Sequence, residues 1–482
     1  MHFNQDIVTL EKGRYIGGGH DKSAPTDGRR CAMSLREAIE SYHELLTDEL
    51  ASESQAKLDD QQLRRGITFG GRPLCSVLRP RFMTPEQYHF LQTRVRLLLH
   101  AFDKIYYRAQ EDEVFRKHFG LLDWEEELVR HDSGFRAPSP TSRVDTFFVH
   151  GRGGLRLTEY NAETPASPAY NDVLAEVFYG LPVMREFLHR YEVRYSPARH
   201  SVLNALIDAY QQWAGRREAP RIAILDWREV PSYSEFLMFA EYFRSQGLEC
   251  IIADPREVEY RNGRLVAGDF HITLIYKRVL ISELVERGGL GQPVVQAVRD
   301  GAVCMVNPFR CKILHKKASL AVLSDERNAE LFSDAELEAI EAHIPWTCRV
   351  EERHASYHGQ RIDLLPFILE HREKLVLKPN DEYGGKGIVL GWEADLNDWA
   401  QAIHAALTDP YIVQERVTIP SEPFPSMVDG HVTLIERMLD TNPFVFYGDY
   451  MDGCLSRLST EALLNVSAGS GSAVATFVVE KR

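Results

Sequence analysis

The chain has 482 residues, 44% hydrophobic and 26% charged, and its 56 Lys and Arg against 70 Asp and Glu leave a formal charge of −14. That length is too great for one compact core and predicts about two to four units. So acidic a chain excludes tracking of nucleic acid along its whole surface, which needs a clustered positive field, but it leaves room for a local basic pocket around an anionic nucleotide.

The seven cysteines are Cys31, Cys75, Cys250, Cys304, Cys311, Cys348 and Cys454. They are odd in number and form no C-x-x-C pair, so neither a disulfide framework nor a zinc knuckle is expected, and a reducing cytoplasm is. Met1 to Lys12 is polar and acidic and does not read as a signal peptide. No apolar run reaches the length of a membrane span, so no membrane partner is expected.

In chain order, the first thirty residues, with Gly17-Gly18-Gly19, read as irregular. Apolar residues at helical spacing predict a helix from Leu35 to about Leu58 and a longer one from Pro85 to about His118, with Thr84 as N-cap. Val144 to Val149 and Leu155 to Tyr160 read as two strands joined at Gly151-Arg152-Gly153-Gly154, a β-hairpin. Residues 200–345 alternate strand and helix, with strands at 221–225, 249–253, 272–276 and 303–306 and a helix at 234–246, which predicts an open, largely parallel sheet. Ser333 is placed to cap a helix over 334–343. Residues 374–482 read as α+β, with strands at 375–377, 387–390, 411–413, 431–437, 444–447 and 476–479.

The most informative stretch runs from Lys374 to Ile388. A strand ends at Lys378, the turn Gly384-Gly385-Lys386-Gly387 follows, and a second strand leaves it. Glycines let a backbone approach phosphate oxygens with no Cβ in the way, and consecutive N–H groups in such a turn form an anion-binding concavity. Lys378 and Lys386 add charge there. It is not a Walker A loop, because G-x-x-x-x-G-K-[ST] is absent. Alone, the turn reads equally as a plain hairpin with a solvated lysine. Two other segments extend it: Tyr411 to Val417 is an apolar strand running into Gln414 and Glu415, and Lys316-Lys317 opens a helix after a Pro308-containing loop.

Strand, lysine, glycine-rich loop, strand, and then an apolar strand ending Gln-Glu-x-Val resembles the ATP-grasp superfamily. The resemblance implies that Lys317 and Lys378 face phosphate, that Gly384, Gly385, Lys386 and Gly387 form the phosphate loop, and that Gln414 to Val417 form the adenine hinge, with Glu415 on the ribose. Typical members carry their metal ligands after the hinge, as an Asp and then Glu-x-Asn. Asp449 and Asp452 follow the hinge here, but no Glu-x-Asn does.

The pattern occurs far upstream instead. Arg143-Val144-Asp145 opens the hairpin and Glu159-Tyr160-Asn161 closes it. Residues two apart on a strand share a face, so Glu159 and Asn161 point the same way, with Asp145 on the neighbouring strand able to face them. Three oxygen donors with nucleotide phosphates suit Mg²⁺, and Arg143 shares the face of Asp145 and could stabilise phosphoryl charge. Glu-x-Asn alone more often marks an exposed polar hairpin.

Metal triad first and nucleotide loop last resembles the circularly permuted ATP-grasp proteins, of which glutathionylspermidine synthetase is the familiar type, and in particular their stand-alone members. The resemblance covers about residues 140–480. It implies an ATP-grasp fold in permuted order, mixing α+β and α/β parts. Residues 1–66 would be an irregular and helical extension, and 67–195 a helical segment with the metal-binding hairpin. Residues 196–345 would be a preATP-grasp-like parallel α/β domain and 346–482 the ATP-binding part. No amidase-like segment with a catalytic Cys is evident in the N-terminal 130 residues, so glutathione and spermidine are not implied as substrates.

The activity implied is an ATP- and Mg²⁺-dependent ligation of a small-molecule or peptide carboxylate to an amine or thiol through an acyl phosphate. Arg143, Lys317, Lys378 and one or two metal ions at Asp145, Glu159 and Asn161 would offset developing charge. Thr164 and Ser167, in the loop after the triad, are candidates for holding the acceptor. Arg228, at the C-terminal end of a strand where open α/β sheets bind ligands, and Arg457 are further candidates, although a solvated arginine is the commoner reading of each. The alternatives are a small-molecule kinase on the same scaffold and a non-catalytic ATP-binding module. The eighteen histidines show no metal spacing, and no G-x-S-x-G elbow occurs.

Overall fold

The computed structural model describes residues 34–148, 154–382, 384–461 and 471–482. The glycines at 17–19, Cys31, the hairpin tip at 151–153 and most of the glycine-rich stretch near 467–472 lie outside the described residues.

The predicted helix from Leu35 is two helices, Leu35–Leu45 and Asp48–Arg64, because Thr47 accepts from the Leu50 amide and starts the chain afresh. The helix Pro85–Glu111 begins as expected, with a reciprocal Thr84–Gln87 capping box. Its buried stripe is Leu91, Val95, Leu98, Phe102 and Ile105, spaced three and four apart. It stops short of His118 because Asp112 accepts from the amides of Val114 and Phe115, capping a new turn.

The alternating region gives a four-stranded parallel sheet in the order Cys304–Val306, Leu274–Lys277, Ile222–Leu225, Cys250–Ala253. A second four-stranded sheet, antiparallel, is ordered Thr347–Arg349, Tyr411–Glu415, Leu375–Pro379, Val389–Leu390. It packs on its own apolar cluster, centred on the buried Trp399 with Leu364, Ile368, Leu375, Leu377 and Val413.

The largest sheet has nine strands drawn from both ends of the chain. Its main path runs Ser421–Val428, His431–Leu439, Tyr450–Ser459, Asn442–Phe446, Thr141–Phe148, Leu155–Asn161. Ser472–Lys481 pairs with Tyr450–Ser459 and carries the short strands Arg81–Met83 and Tyr191–Arg194. Phe444 lies opposite Arg143, so the early hairpin is seated against late strands. Within the hairpin Arg143 pairs with Asn161 and Asp145 with Glu159, and a bulge follows Asp145. Ser421–Val428 contains Pro423 and Pro425, which a strand tolerates at an edge, and this one ends the path.

Candidate nucleotide and metal site

A cavity of about 430 Å³ is lined by residues of the antiparallel sheet and of the nine-stranded sheet. Val376, Ile388, Leu390, Trp392, Val417 and Ile419 give it an apolar wall fit for a flat ring. Its polar lining includes Glu159, Lys378, Gly384, Gly385, Lys386, Gln414, Glu415, Asp440 and Arg457. Residues as far apart in sequence as Glu159 and Arg457 thus meet in one space.

Lys378 lies on the strand Leu375–Pro379 and donates through Nζ to Gln414 Oε1 at 2.7 Å and to the Thr158 carbonyl at 3.3 Å. Gln414 is oriented for this because its amide nitrogen donates to Thr347 Oγ1. Burial, reinforced by Lys317, lowers the Lys378 ammonium to about 8, with Glu159 pulling the other way. Lys317 sits 2.8 Å from Glu159 Oε1 and donates to the Glu382 carbonyl at 2.6 Å. Burial works to raise the Glu159 carboxyl, but Lys317 and Lys378 outweigh it and hold it below its ordinary value.

Asp145 is 4% exposed and is held by two arginines. Arg143 donates to both its oxygens, at 2.7 and 3.0 Å, and Arg457 Nη2 donates at 2.7 Å. These charges overcome its burial and hold the carboxyl low, with Asn161 assisting. Arg457 is aimed by Asp440, which accepts from its Nε at 2.6 Å and from its backbone amide at 2.7 Å. Burial and the nearby Asp145 raise the Asp440 carboxyl, with Arg457 opposing them. Arg143, Lys317, Lys378 and Arg457 therefore face Asp145, Glu159 and Asp440, four cations against three carboxylates.

The donor set also fits a hard divalent cation. Two carboxylates and an amide from adjacent strands are oxygen donors, and cross-strand register brings Asp145 opposite Glu159. The carboxylates are now engaged by Arg143 and Arg457 on Asp145 and by Lys317 on Glu159.

Glu415 accepts from the Tyr357 hydroxyl at 3.0 Å, and His358 Nε2 lies 3.2 Å from the same oxygen. Gly387 does not line the cavity but supports the loop, at φ +72° against Pro379 and Tyr411. Lys386 is exposed, 3.2 Å from Glu382.

Other candidates stand apart from this space. Thr164 and Ser167 do not line the cavity, although their loop touches the site where Arg143 donates to the Ala166 carbonyl. The start of the following helix, Pro168–Gly180, is already faced by Glu235, which accepts from the Ala169 amide. Arg228 lies at the surface, paired with Glu257. Asp449 pairs with Arg96 and His100, and Asp452 accepts from Ser201, both away from the cavity. Sequence reasoning missed Asp440, Trp392, Phe147 and Tyr357. Of these only Asp440, in Asp440-Thr441-Asn442 at a strand end, carried a readable signal.

No family model matches the sequence. Among curated proteins the chain is 23% identical over 508 residues to a Frankia casuarinae protein provisionally named glutamate–cysteine ligase 2-2, covering 95% of this chain and 54% of that one. The chain thus spans about half the length of that relative. It is also 25% identical over 469 residues to an uncharacterized protein of Mycobacterium tuberculosis, covering 89% of this chain and 79% of that one. Among solved structures it is similar to a glutathione synthetase-like effector from Globodera pallida, with a TM-score of 0.57, 14% identity, and 91% and 95% of the two chains covered. At that identity the likeness concerns the fold alone, a mixed α+β architecture. No helix among the described residues is long and apolar enough to cross a membrane.

Proposed function

We propose that the chain is an ATP- and Mg²⁺-dependent ligase, with its ATP-grasp segments in circularly permuted order, that joins a small-molecule or peptide carboxylate to an amine or thiol. The observation that carries this reading is the single cavity to which the lysine strand, the glycine-rich loop, the Gln414–Val417 hinge, Glu159 and Arg457 all contribute. The pairing of the 141–161 hairpin with strands near 444 supports the permuted order, because it sets the metal-ligand candidates beside the C-terminal strands despite their early place in the chain. The names of the Frankia and Globodera proteins favour ligation over phosphorylation of a stable acceptor.

In this reading a substrate carboxylate oxygen attacks the γ-phosphorus of ATP, the bond to the β-phosphate oxygen breaks, and ADP leaves. The amine nitrogen then attacks the acyl carbon, phosphate leaves, and the nitrogen gives up a proton. The chain's own part is to position and to neutralise charge. Lys317 and Lys378 hold phosphate oxygens, the loop from Gly384 covers them, and Glu415 takes the ribose hydroxyls. Trp392, Val417 and Ile419 enclose the base, and Arg143 and Arg457 meet the charge that develops on the transferred group. Asp145, Glu159 and Asn161 would hold Mg²⁺, which when bound supplies Lewis-acid stabilisation of that charge.

The test is to incubate the chain with ATP, Mg²⁺ and pooled amino acids, peptides and polyamines, with hydroxylamine as a trap. Hydroxamate formed with ADP supports the ligase. A stable phosphorylated product indicates a kinase instead. ATP binding without turnover across broad pools, unaltered in Asp145→Ala, indicates a binding module.

A further inference from the structure

A second cluster of charged groups takes no part in lining the cavity. The ligating atoms of Glu163, His315 and Asp381 lie within 4.8 Å of one another, a spacing that could hold a metal. An ammonium already occupies that role. Lys312 Nζ is 2.6 and 2.8 Å from the two Asp381 oxygens and 3.1 Å from Glu163. Lys316 adds contacts to Asp381 at 2.9 Å and Glu125 at 2.7 Å, and Lys277 lies 3.3 Å from Glu163. Burial lowers His315 to about 4, so the imidazole is neutral at ordinary pH. Three carboxylates thus meet three lysines, and apart from the partly exposed Asp381 all of these side chains are buried.

A buried ion network contributes little net stability over an apolar replacement, and one attested use of such a network is to fix a single arrangement. The connections show what is fixed. Lys316 immediately precedes Lys317. Asp381 falls midway between Lys378 and Gly384. Asn380 accepts from the Lys317 amide through its carbonyl at 2.9 Å and from the Ala318 amide through Oδ1 at 2.8 Å, and the Glu382 carbonyl accepts from Lys317 Nζ. Residues 380–382 therefore grip residues 312–318 at successive points.

We infer that Asp381, acting through Lys312 and Lys316, is a positioning residue that sets Lys317 and Lys378 at a fixed separation, so that both reach one polyphosphate. The inference rests on reading the cavity as a nucleotide site. Asp381 touches no substrate in this account. It holds the lysine that begins one helix against the loop that follows the other lysine's strand.

The experiment is calorimetric titration of ATP with Mg²⁺ into wild type, Asp381→Asn, Asp381→Glu and Lys312→Arg, each checked for its melting temperature. The roles differ in sign. If Asp381 acted only by its charge, Asp381→Asn would bind ATP more tightly, because a negative group beside the lysines is gone. If it served stability alone, melting would fall and the affinity of the folded protein would stay. Positioning predicts that affinity falls about tenfold or more in Asp381→Asn, by analogy with the loss of outer-shell partners at metal sites. It also predicts partial recovery in Asp381→Glu. Lys312→Arg keeps the charge and changes the geometry, so it weakens ATP too and carries the test if Asp381→Asn does not fold. Unchanged or tighter binding in the variants overturns the inference and leaves the nucleotide reading intact. A wild-type chain that binds no nucleotide overturns both.

Discussion

Arg457 donates through Nη2 to Asp145 Oδ2 at 2.7 Å, across 312 residues of sequence. With Arg143 on the other side, this contact ties the early hairpin to a late strand and supplies the charge that Asp145 needs when buried. Asp145→Ala leaves two largely buried guanidinium groups facing each other without that carboxylate. The expected loss is about 3 kcal/mol or more of unfolding free energy, read from urea titration, together with loss of divalent-dependent turnover. A variant as stable as wild type would show that the contact does not hold the sheet together.

Lys378 gives a pH dependence with a definite sign. Its ammonium falls from an ordinary 10.5 to about 8, chiefly through burial. Between these values the unfolded chain binds the more protons at this residue, so its contribution makes stability rise with pH. Nucleotide affinity moves the other way, because an amine that loses its proton above about pH 8 no longer attracts phosphate. Calorimetry is expected to show wild-type affinity falling through that region, while Lys378→Arg, always charged, stays flat. A flat wild-type profile would remove Lys378 from phosphate.

Gly387 combines φ +72° with a crowded back face. An added Cβ would stand 2.7 Å from Pro379 Cγ and 3.1 Å from the Tyr411 hydroxyl. Gly384 and Gly385 also have positive φ, but a Cβ added at either would meet no described atom within 4 Å. Gly387→Ala should therefore cost more than either, about 2 kcal/mol or above against about 1 for its neighbours. Parallel thermal melts of the three variants check the ranking, and equal costs would show that the contacts with Pro379 and Tyr411 do not matter.

Glu415 is held by Tyr357, which strand pairing with Gln360 places in the 354–363 hairpin. Glu415→Ala should lower ATP affinity about tenfold, the scale of a lost charge-assisted hydrogen bond, and should erase discrimination against 2′-deoxy-ATP. Tyr357→Phe should produce a smaller loss in the same direction. Titration with both nucleotides reads the effect. Retained discrimination in Glu415→Ala would place the ribose elsewhere.

Local rules made much of this legible. Thr84 and Ser333 cap as their sequences suggest, since capping depends on neighbours within one turn. The run from Lys378 to Gly387 and the strand ending at Gln414-Glu415 could be read because glycines and a terminal lysine mark a turn without tertiary information. What pairs with what could not. Nothing near Arg143 announces Phe444 as its cross-strand neighbour, and long-range pairing leaves no local trace. Ser421–Val428 was missed because two prolines argue against a strand unless it is known to lie at an edge. Lys312 and Asp381 read as ordinary charged residues, because burial and partners, which make them unusual, are properties of the fold. Arg228 shows the converse: it stands at the end of a parallel strand, and a salt bridge to Glu257 at the surface, which the sequence does not announce, pairs it there.

In the proposed reading, residues far apart in sequence form one nucleotide and metal site. Amide hydrogen exchange on the wild-type chain, with and without ATP and Mg²⁺, tests it most directly. Concerted slowing is expected in peptides covering residues 143–148 and 155–161, 312–320, 376–390, 411–419 and 440–459, with the parallel sheet near 222–253 unaffected. Protection limited to 376–419, with the hairpin of Asp145 and Glu159 unchanged, would contradict the claim that this hairpin supplies the metal ligands.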